Sequence, residues 1–293
     1  METYGFQLCG EVIQGKRDFL ESIEKRDDLA VVEKFNGYRE MWYINNGKNE
    51  MFNRSGASHI HAVPHFQVDI PKLYGTVLDC EGLSKEGMHS KYSKRIFGSH
   101  AEHAIEVQRQ VGNAYLIAFD ILFHKGKDVR DLPLIYRRKH LLDAVNTLSY
   151  AGIDDVIIEM ICVAKKANFY DEIVANNGEG VIVKDLNSPY VADDRGYWLK
   201  IKKDLTRDYY IMGFTPGNGK YSNAIGAVIY GKKDNGSLIE LGRAGGMTDA
   251  VRYHMAANPN MYIGKLAEFG GKDINEKTGT LYHPKYIRLR DDI

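Results

Sequence analysis

Cysteine is scarce in this chain of 293 residues. Cys9, Cys80 and Cys162 lie far apart, and no CxxC pair occurs. That excludes a zinc knuckle built on paired cysteines, and so few thiols suit a reducing compartment. No apolar run approaches the ~20 residues needed to span a bilayer. The opening METYGFQLCGEV has no basic leader followed by a long apolar run, so no signal peptide is expected. Net charge is also lacking: 39 basic residues balance 39 acidic ones. No whole-molecule basic field therefore announces a nucleic-acid partner. Repeats of 20–50 residues and low-complexity tracts are absent as well. A soluble protein that is intracellular, or made inside a host cell, is the expectation.

What is present is ordinary globular material, 44% hydrophobic and 27% charged, enough for roughly two domains. Charge is unevenly spread. Lys85, Lys91, Lys94 and Arg95 face only Glu86 over 84–95, and Arg195, Lys200, Lys202, Lys203 and Arg207 face only Asp204 over 195–207. The first run reads as a solvated face, whereas the second is a candidate phosphate track.

Hydrophobic spacing predicts helices within 16–29, over 100–111, and over 137–148 with Leu141, Leu142 and Val145 on one face. Short apolar runs predict strands at 29–32, 41–44, 50–52, 76–78, 115–123, 156–158, 180–183 and 197–201, with a hairpin at Asn45-Asn46-Gly47. After about residue 206 the texture changes. Short strands at 209–214, 224–230, 238–241 and 286–289, separated by Gly and Asn turns, surround a helix over 248–258. This pattern predicts a small β-barrel. The fold class expected is α+β, mainly antiparallel, with a large domain over 1–205, a barrel over 206–293 and a hinge near 204–208.

The chemistry centres on Glu33-Lys34-Phe35-Asn36-Gly37-Tyr38-Arg39. A lysine used as a nucleophile must shed its proton, and burial beside other cations favours that loss. A strand end beside a turn glycine holds the amine while leaving room for phosphate. Taken alone, this segment is no more than a charged turn between two strands.

Further segments follow in order. They are Asn53-Arg54-Ser55-Gly56, Leu78-Asp79-Cys80-Glu81, Ala118-Phe119-Asp120-Ile121-Leu122, Glu179-Gly180-Val181-Ile182-Val183-Lys184, Trp198-Leu199-Lys200-Ile201-Lys202, and the ending 283–292 with Arg288, Arg290, Asp291 and Asp292. Together they resemble the KxDGxR, LDGE, AFDIL, EGVMVK and WLKxK segments and the C-terminal motif of ATP-dependent DNA ligases, members of the covalent nucleotidyltransferase superfamily. The resemblance runs from about residue 30 to the end. It departs at Asn36, which replaces an Asp, and at Cys80, which replaces a glycine.

The resemblance implies a nucleotidyltransferase domain with ATP-grasp-like antiparallel sheets and helices, followed by an OB-fold barrel. It also implies a ligase that seals 3′-hydroxyl/5′-phosphate nicks in duplex DNA. Lys34 carries AMP and is assisted by Lys200 and Lys202. Glu33, Arg39, Arg54, Glu81, Phe119, Glu179, Lys184, Lys200, Lys202, Arg288 and Arg290 bind nucleotide, with Phe119 on adenine. Glu179 and Glu81 are the magnesium candidates, since this ion takes one or two carboxylates plus phosphate oxygens. The barrel, with Arg288, Arg290, Asp291 and Asp292, acts as a lid over ATP. ATP is expected rather than NAD, because 33 residues precede Lys34 and no zinc or helix-hairpin-helix module follows. A monomer acting on nicked DNA is expected. An RNA or RNA/DNA-hybrid strand ligase is the competing reading, raised by Glu33 beside Lys34 and by Asn36. His59, His61 and His65 have spacing that invites zinc, but they read as a polar loop, with Pro64 breaking any helix.

Overall fold

Two β-sheets lie face to face in the first part of the chain, and the alternation of side chains along their strands decides what each face carries. The computed structural model describes residues 3–13, 15–85, 90–203, 205–234, 236–271, 273–275 and 277–290. It divides into two compact units, Met1–Lys203 and Asp204–Ile293.

In the first unit, one sheet runs in the order Gly10–Glu11, Trp198–Lys202, Gly180–Asp185, Leu29–Glu33, Ile161–Cys162. It is antiparallel apart from its first pair. The other runs Glu50–Asn53, Tyr38–Ile44, Thr76–Ser84, Ala114–His124, Lys127–Asp128, with Val156–Ile158 parallel to Ala114–His124. The hairpin expected at Asn45-Asn46-Gly47 forms, pairing Tyr43 with Glu50, and Gly47 takes φ 65° in the turn.

Outward residues of the second sheet, such as Trp42, Ile44, Leu78, Cys80, Ala118 and Ile121, join one core with the helices Ser90–Phe97, Ala101–Val111 and Leu134–Tyr150. Outward residues of the first sheet, Val31, Val181, Val183 and Ile201, bury against Lys16–Ser22 and Lys166–Ala175. Between the sheets lies a third cluster of Phe6, Met41, Tyr43, Val77, Phe119, Leu122, Tyr190 and Trp198. Period-two alternation thus sends Arg39, Asp79, Glu81 and Phe119 toward the first sheet, and Ile182, Lys184, Trp198, Lys200 and Lys202 toward the second.

Two expectations need correction. Leu142 is 48% exposed. The buried face of its helix is Leu134, Arg137, Leu141, Ala144, Val145 and Leu148, and at 100° per residue position 142 turns off that face. The helix within 16–29 is only Lys16–Ser22, because Leu29 already belongs to a strand. Pro64 separates two short 3₁₀ turns, Ile60–Ala62 and Pro64–Phe66, so no helix runs through it, as expected.

In the second unit a five-stranded antiparallel sheet runs Ser237–Ala244, Ile225–Asp234, Leu205–Pro216, Leu266–Gly271, Lys285–Leu289. Gly245 pairs with Lys285 across its two edges and closes it into a barrel. Strand Leu266–Gly271 was not expected from the sequence. Helix Asp249–Ala257, capped by the Thr248 hydroxyl, packs on the barrel through Met255. This is an α+β chain with an OB-type barrel. Among the described residues, no helix is long and apolar enough to cross a membrane.

Candidate nucleotide site

A cavity of about 410 Å³ opens between the two sheets of the first unit. It is lined by Glu33, Lys34, Arg39, Arg54, Glu81, Phe119, Lys184, Lys200 and Lys202 of the sequence candidates. It is also lined by Cys9, Glu159, Ile182, Arg195 and Trp198, which the sequence reading did not assign to it. Clefts of this size hold small ligands.

Lys34 stands one residue past Leu29–Glu33. Its backbone N–H donates to the Gly180 carbonyl at 2.9 Å, which ties it to the start of the neighbouring strand. Its Nζ donates to Glu179 Oε2 at 2.6 Å, and Lys202 Nζ lies 2.6 Å from Glu179 Oε1. One carboxylate therefore bridges two ammonium groups. Burial pushes the Glu179 carboxyl up, but Lys34 and Lys202 outweigh it and hold the group below the usual carboxylate range. Lys200, two residues before Lys202, turns to Glu11 at 3.3 Å instead. Lys34 thus shares its carboxylate with Lys202 and not with Lys200.

Gly180 is required here. Its φ is 139°, and a Cβ would lie 2.1 Å from the Ile201 carbonyl oxygen. Gly37 is equally confined, since its Cβ would meet the Gly82 oxygen at 2.4 Å. Its N–H donates to Glu81 Oε1 at 2.9 Å. Burial raises the Glu81 carboxyl to about 7, against the opposing effects of that N–H and of Lys34 and Arg39. Asn36 is exposed, while Lys34 Nζ bonds Glu179 and Glu81 Oε1 accepts from the Gly37 N–H.

Arg39 is more tightly held than a free phosphate ligand. Nε and Nη2 donate to the two oxygens of Asp79 at 2.9 and 2.6 Å, and Nη1 donates to the Gln7 carbonyl at 2.6 Å. The rings of Phe6, Phe119 and Trp198 lie 5.1 to 5.5 Å from its guanidinium carbon. Burial opposes the charge, yet Asp79 raises the guanidinium above its ordinary range. Tyr190 completes the group by donating its hydroxyl to Asp79 at 2.7 Å. Phe119 keeps 8% exposure, with Lys184 Nζ 4.8 Å from its ring centre. Arg54 lines the cavity from the turn after Glu50–Asn53, a turn organised by Asn53 accepting from Ser55 and Ala57.

Arg288 and Arg290 belong to the second unit. Arg288 donates to Glu268 at 2.9 Å, and Arg290 grips both oxygens of Asp208 at 2.7 and 2.8 Å. Asp291 and Asp292, like Glu86 and Asp204, lie outside the described residues. The three histidines do not converge. His59 pairs with the buried Glu40 at 2.6 Å and His65 with the Ala114 carbonyl at 2.9 Å. No group of three metal-binding side chains occurs among the described residues.

The comparisons with known proteins fit this geometry. The profile of the ATP dependent DNA ligase domain matches residues 14–202, the stretch that carries every cavity-lining motif from Lys34 to Lys202. This chain belongs to the ATP-dependent DNA ligase family. Its relatives include the DNA ligase of Archaeoglobus fulgidus, 30% identical over 93% of this chain and 54% of the relative. Another is a DNA ligase of Methanoculleus marisnigri, 25% identical over 92% and 53%. The chain spans about half the length of these curated relatives. Among solved structures, a Lig E DNA ligase (TM-score 0.58, 17% identity) covers 99% of this chain and 100% of its own. The bacteriophage T7 ATP-dependent DNA ligase with ATP (TM-score 0.55, 16% identity) covers 98% of each. At these identities the likeness is one of fold.

Proposed function

We propose that this ligase-family chain seals 3′-hydroxyl/5′-phosphate nicks in duplex DNA through an AMP carried on Lys34. The observation that carries the reading is Lys34 lining the cavity with its Nζ 2.6 Å from a Glu179 carboxylate that also holds Lys202. In this reading residues 1–205 are the adenylation domain, 206–293 the OB-fold domain, and the chain works as a cytoplasmic monomer.

Lys34 gives up its ammonium proton to solvent, the neutral amine attacks the α-phosphorus of ATP, and the P–N bond forms as the P–O bond to pyrophosphate breaks. AMP then passes from Lys34 to a 5′-phosphate end. The 3′-hydroxyl attacks that phosphate, closing the backbone and releasing AMP. All three steps are phosphoryl transfers, so the protein chiefly orients groups and neutralises charge. Glu179 fixes the amine. Lys202 supplies positive charge beside it, and Lys200, Arg54 and Arg195 add positive charge around the same cavity. Phe119 lines the part that holds the nucleoside, where Arg39 braces it, and Glu33 lines the cavity beside Lys34.

Magnesium fits this donor set sparsely. Glu81 keeps one oxygen outside its bond to Gly37, and Glu179 is shared between two lysines. That suits an ion held mostly by phosphate and water rather than by a protein cage. Glu81 and Glu179 would hold it, and when bound it supplies charge neutralisation at the phosphates.

The test is incubation with α-labelled ATP and magnesium, followed by denaturation. Label stays on the wild-type chain and is lost in Lys34→Ala. Nicked duplexes with DNA or RNA on either strand then report the preferred sugar. Sealing only of RNA-containing nicks would replace the DNA reading with the RNA-strand one.

A further inference from the structure

The two ends of the cavity differ chemically. Across strands Gly180–Asp185 and Trp198–Lys202 the register pairs Gly180 with Lys202, Ile182 with Lys200, and Lys184 with Trp198. Lys34, Glu179 and Lys202 mark the first end. Lys184 lies four residues beyond Gly180 along the strand, roughly 14 Å away at about 3.4 Å per residue. That second end is aromatic. Phe119 and Trp198 meet edge to face at 6.0 Å, and Lys184 Nζ lies 4.4 Å from the Trp198 ring centre.

Glu159 sits at this aromatic end. Its N–H donates to the Ala118 carbonyl at 3.0 Å, which fixes it beside Phe119. Its side chain is 3% exposed, and the residue lines the cavity. Oε1 accepts from Lys184 Nζ at 2.6 Å and from Arg138 Nη1 at 3.1 Å. Oε2 accepts no hydrogen bond from any described residue, and it is not among the atoms sealed off from solvent. A carboxylate with one oxygen clamped by two cations and the other free toward a cavity is an acceptor waiting for a donor.

We propose that Glu159 is a specificity-determining residue whose free Oε2 accepts a hydrogen bond from the 6-amino group of the nucleotide's purine base. The proposal rests on the nucleotide-charging reading above and deepens it. Phosphates occupy the lysine end, the sugar spans the middle, and the amino edge of the base meets Glu159 while Phe119 and Trp198 flank the ring. Arg138 and Lys184 fix the carboxylate's orientation, so the free oxygen is preorganised. A base with a 6-oxo group presents an acceptor to this oxygen and is rejected.

The test is Lys34 charging with ATP and with inosine 5′-triphosphate, which differs by the 6-oxo group, compared as a kcat/KM ratio. Wild type favours ATP. In Glu159→Gln the amide oxygen must turn to Lys184 and Arg138, which leaves an NH₂ donor where Oε2 stood. The ratio then shifts toward inosine triphosphate by roughly ten- to a hundredfold, as expected for one charged hydrogen bond lost and one repulsion removed. Glu159→Asp keeps the carboxylate and retains the ATP preference. Because the ratio is internal to each protein, partial misfolding does not move it. A purely structural Glu159 predicts equal losses with both nucleotides in Glu159→Gln, and that result overturns the proposal. Should Glu159→Gln not fold, wild type with purine riboside 5′-triphosphate decides, because use of this amino-free analogue within a few-fold of ATP also overturns it. A wild-type chain charged by no nucleotide would instead refute the ligase reading itself.

Discussion

Arg39 and Asp79 form a two-pronged ion pair between neighbouring strands, with Asp79 wholly buried and Arg39 walled in by three aromatic rings. The pair joins the sheet of Tyr38–Ile44 to the N-terminal segment through Gln7 and to the loop of Tyr190. Removing one partner of a buried pair leaves an uncompensated charge and costs about 3–5 kcal/mol. Asp79→Ala is therefore expected to lower the melting temperature strongly and to loosen nucleotide binding with it. Thermal unfolding with and without ATP checks this. Melting at the wild-type temperature would mean Arg39 has other support.

Gly180 carries the nucleophile's backbone bond at a conformation that side chains rarely adopt. Gly180→Ala is expected to destabilise the first unit and to abolish charging, because the added Cβ drives Ile201 and Lys202 away from Lys34. Circular dichroism melts paired with label incorporation read both effects. Normal charging by a stable variant would contradict the tight packing.

Glu81 holds its proton to about 7 in the folded chain against an ordinary 4.5. A carboxyl whose folded value is raised adds stability below its unfolded value, and that contribution is lost as pH rises through the folded value. The window is pH 4.5 to about 7. Glu81→Gln keeps an acceptor for Gly37 but cannot ionise, so its melting temperature should gain on wild type from pH 5 to pH 8, by a few degrees. A constant gap between the two proteins across that range would show that Glu81 is not perturbed.

Arg290 is held by Asp208 within the barrel unit. If the barrel acts as the lid of the first step, Arg290→Ala slows charging of Lys34 by roughly a hundredfold, while sealing of a pre-adenylylated nick falls much less. Single-turnover assays of each step separate the two, and equal losses would refute the lid role.

Much of this arrangement was legible in the sequence. The strand read at 197–201 puts Lys200 and Lys202 on one side by period two alone. Lys34, Glu81, Phe119, Lys184 and Lys202 all line one cavity. What the sequence hid comes from tertiary contact. Gln7 and Tyr190, 183 residues apart, meet through a hydrogen bond that no local pattern announces. Glu159 reads as the end of a short strand and reaches the cavity only because its strand runs parallel beside Ala114–His124. The Asp120–Arg137 ion pair, wholly buried, turns a charged helix position inward. Strand Leu266–Gly271 escaped notice because its two glycines weaken the alternation.

Tandem mass spectrometry of the chain after incubation with ATP and magnesium tests the central claim most directly. The account predicts one adenylylated peptide, modified at Lys34, and no modified peptide from Lys34→Ala. AMP found on another side chain, or still attached to the Lys34→Ala protein, would contradict it.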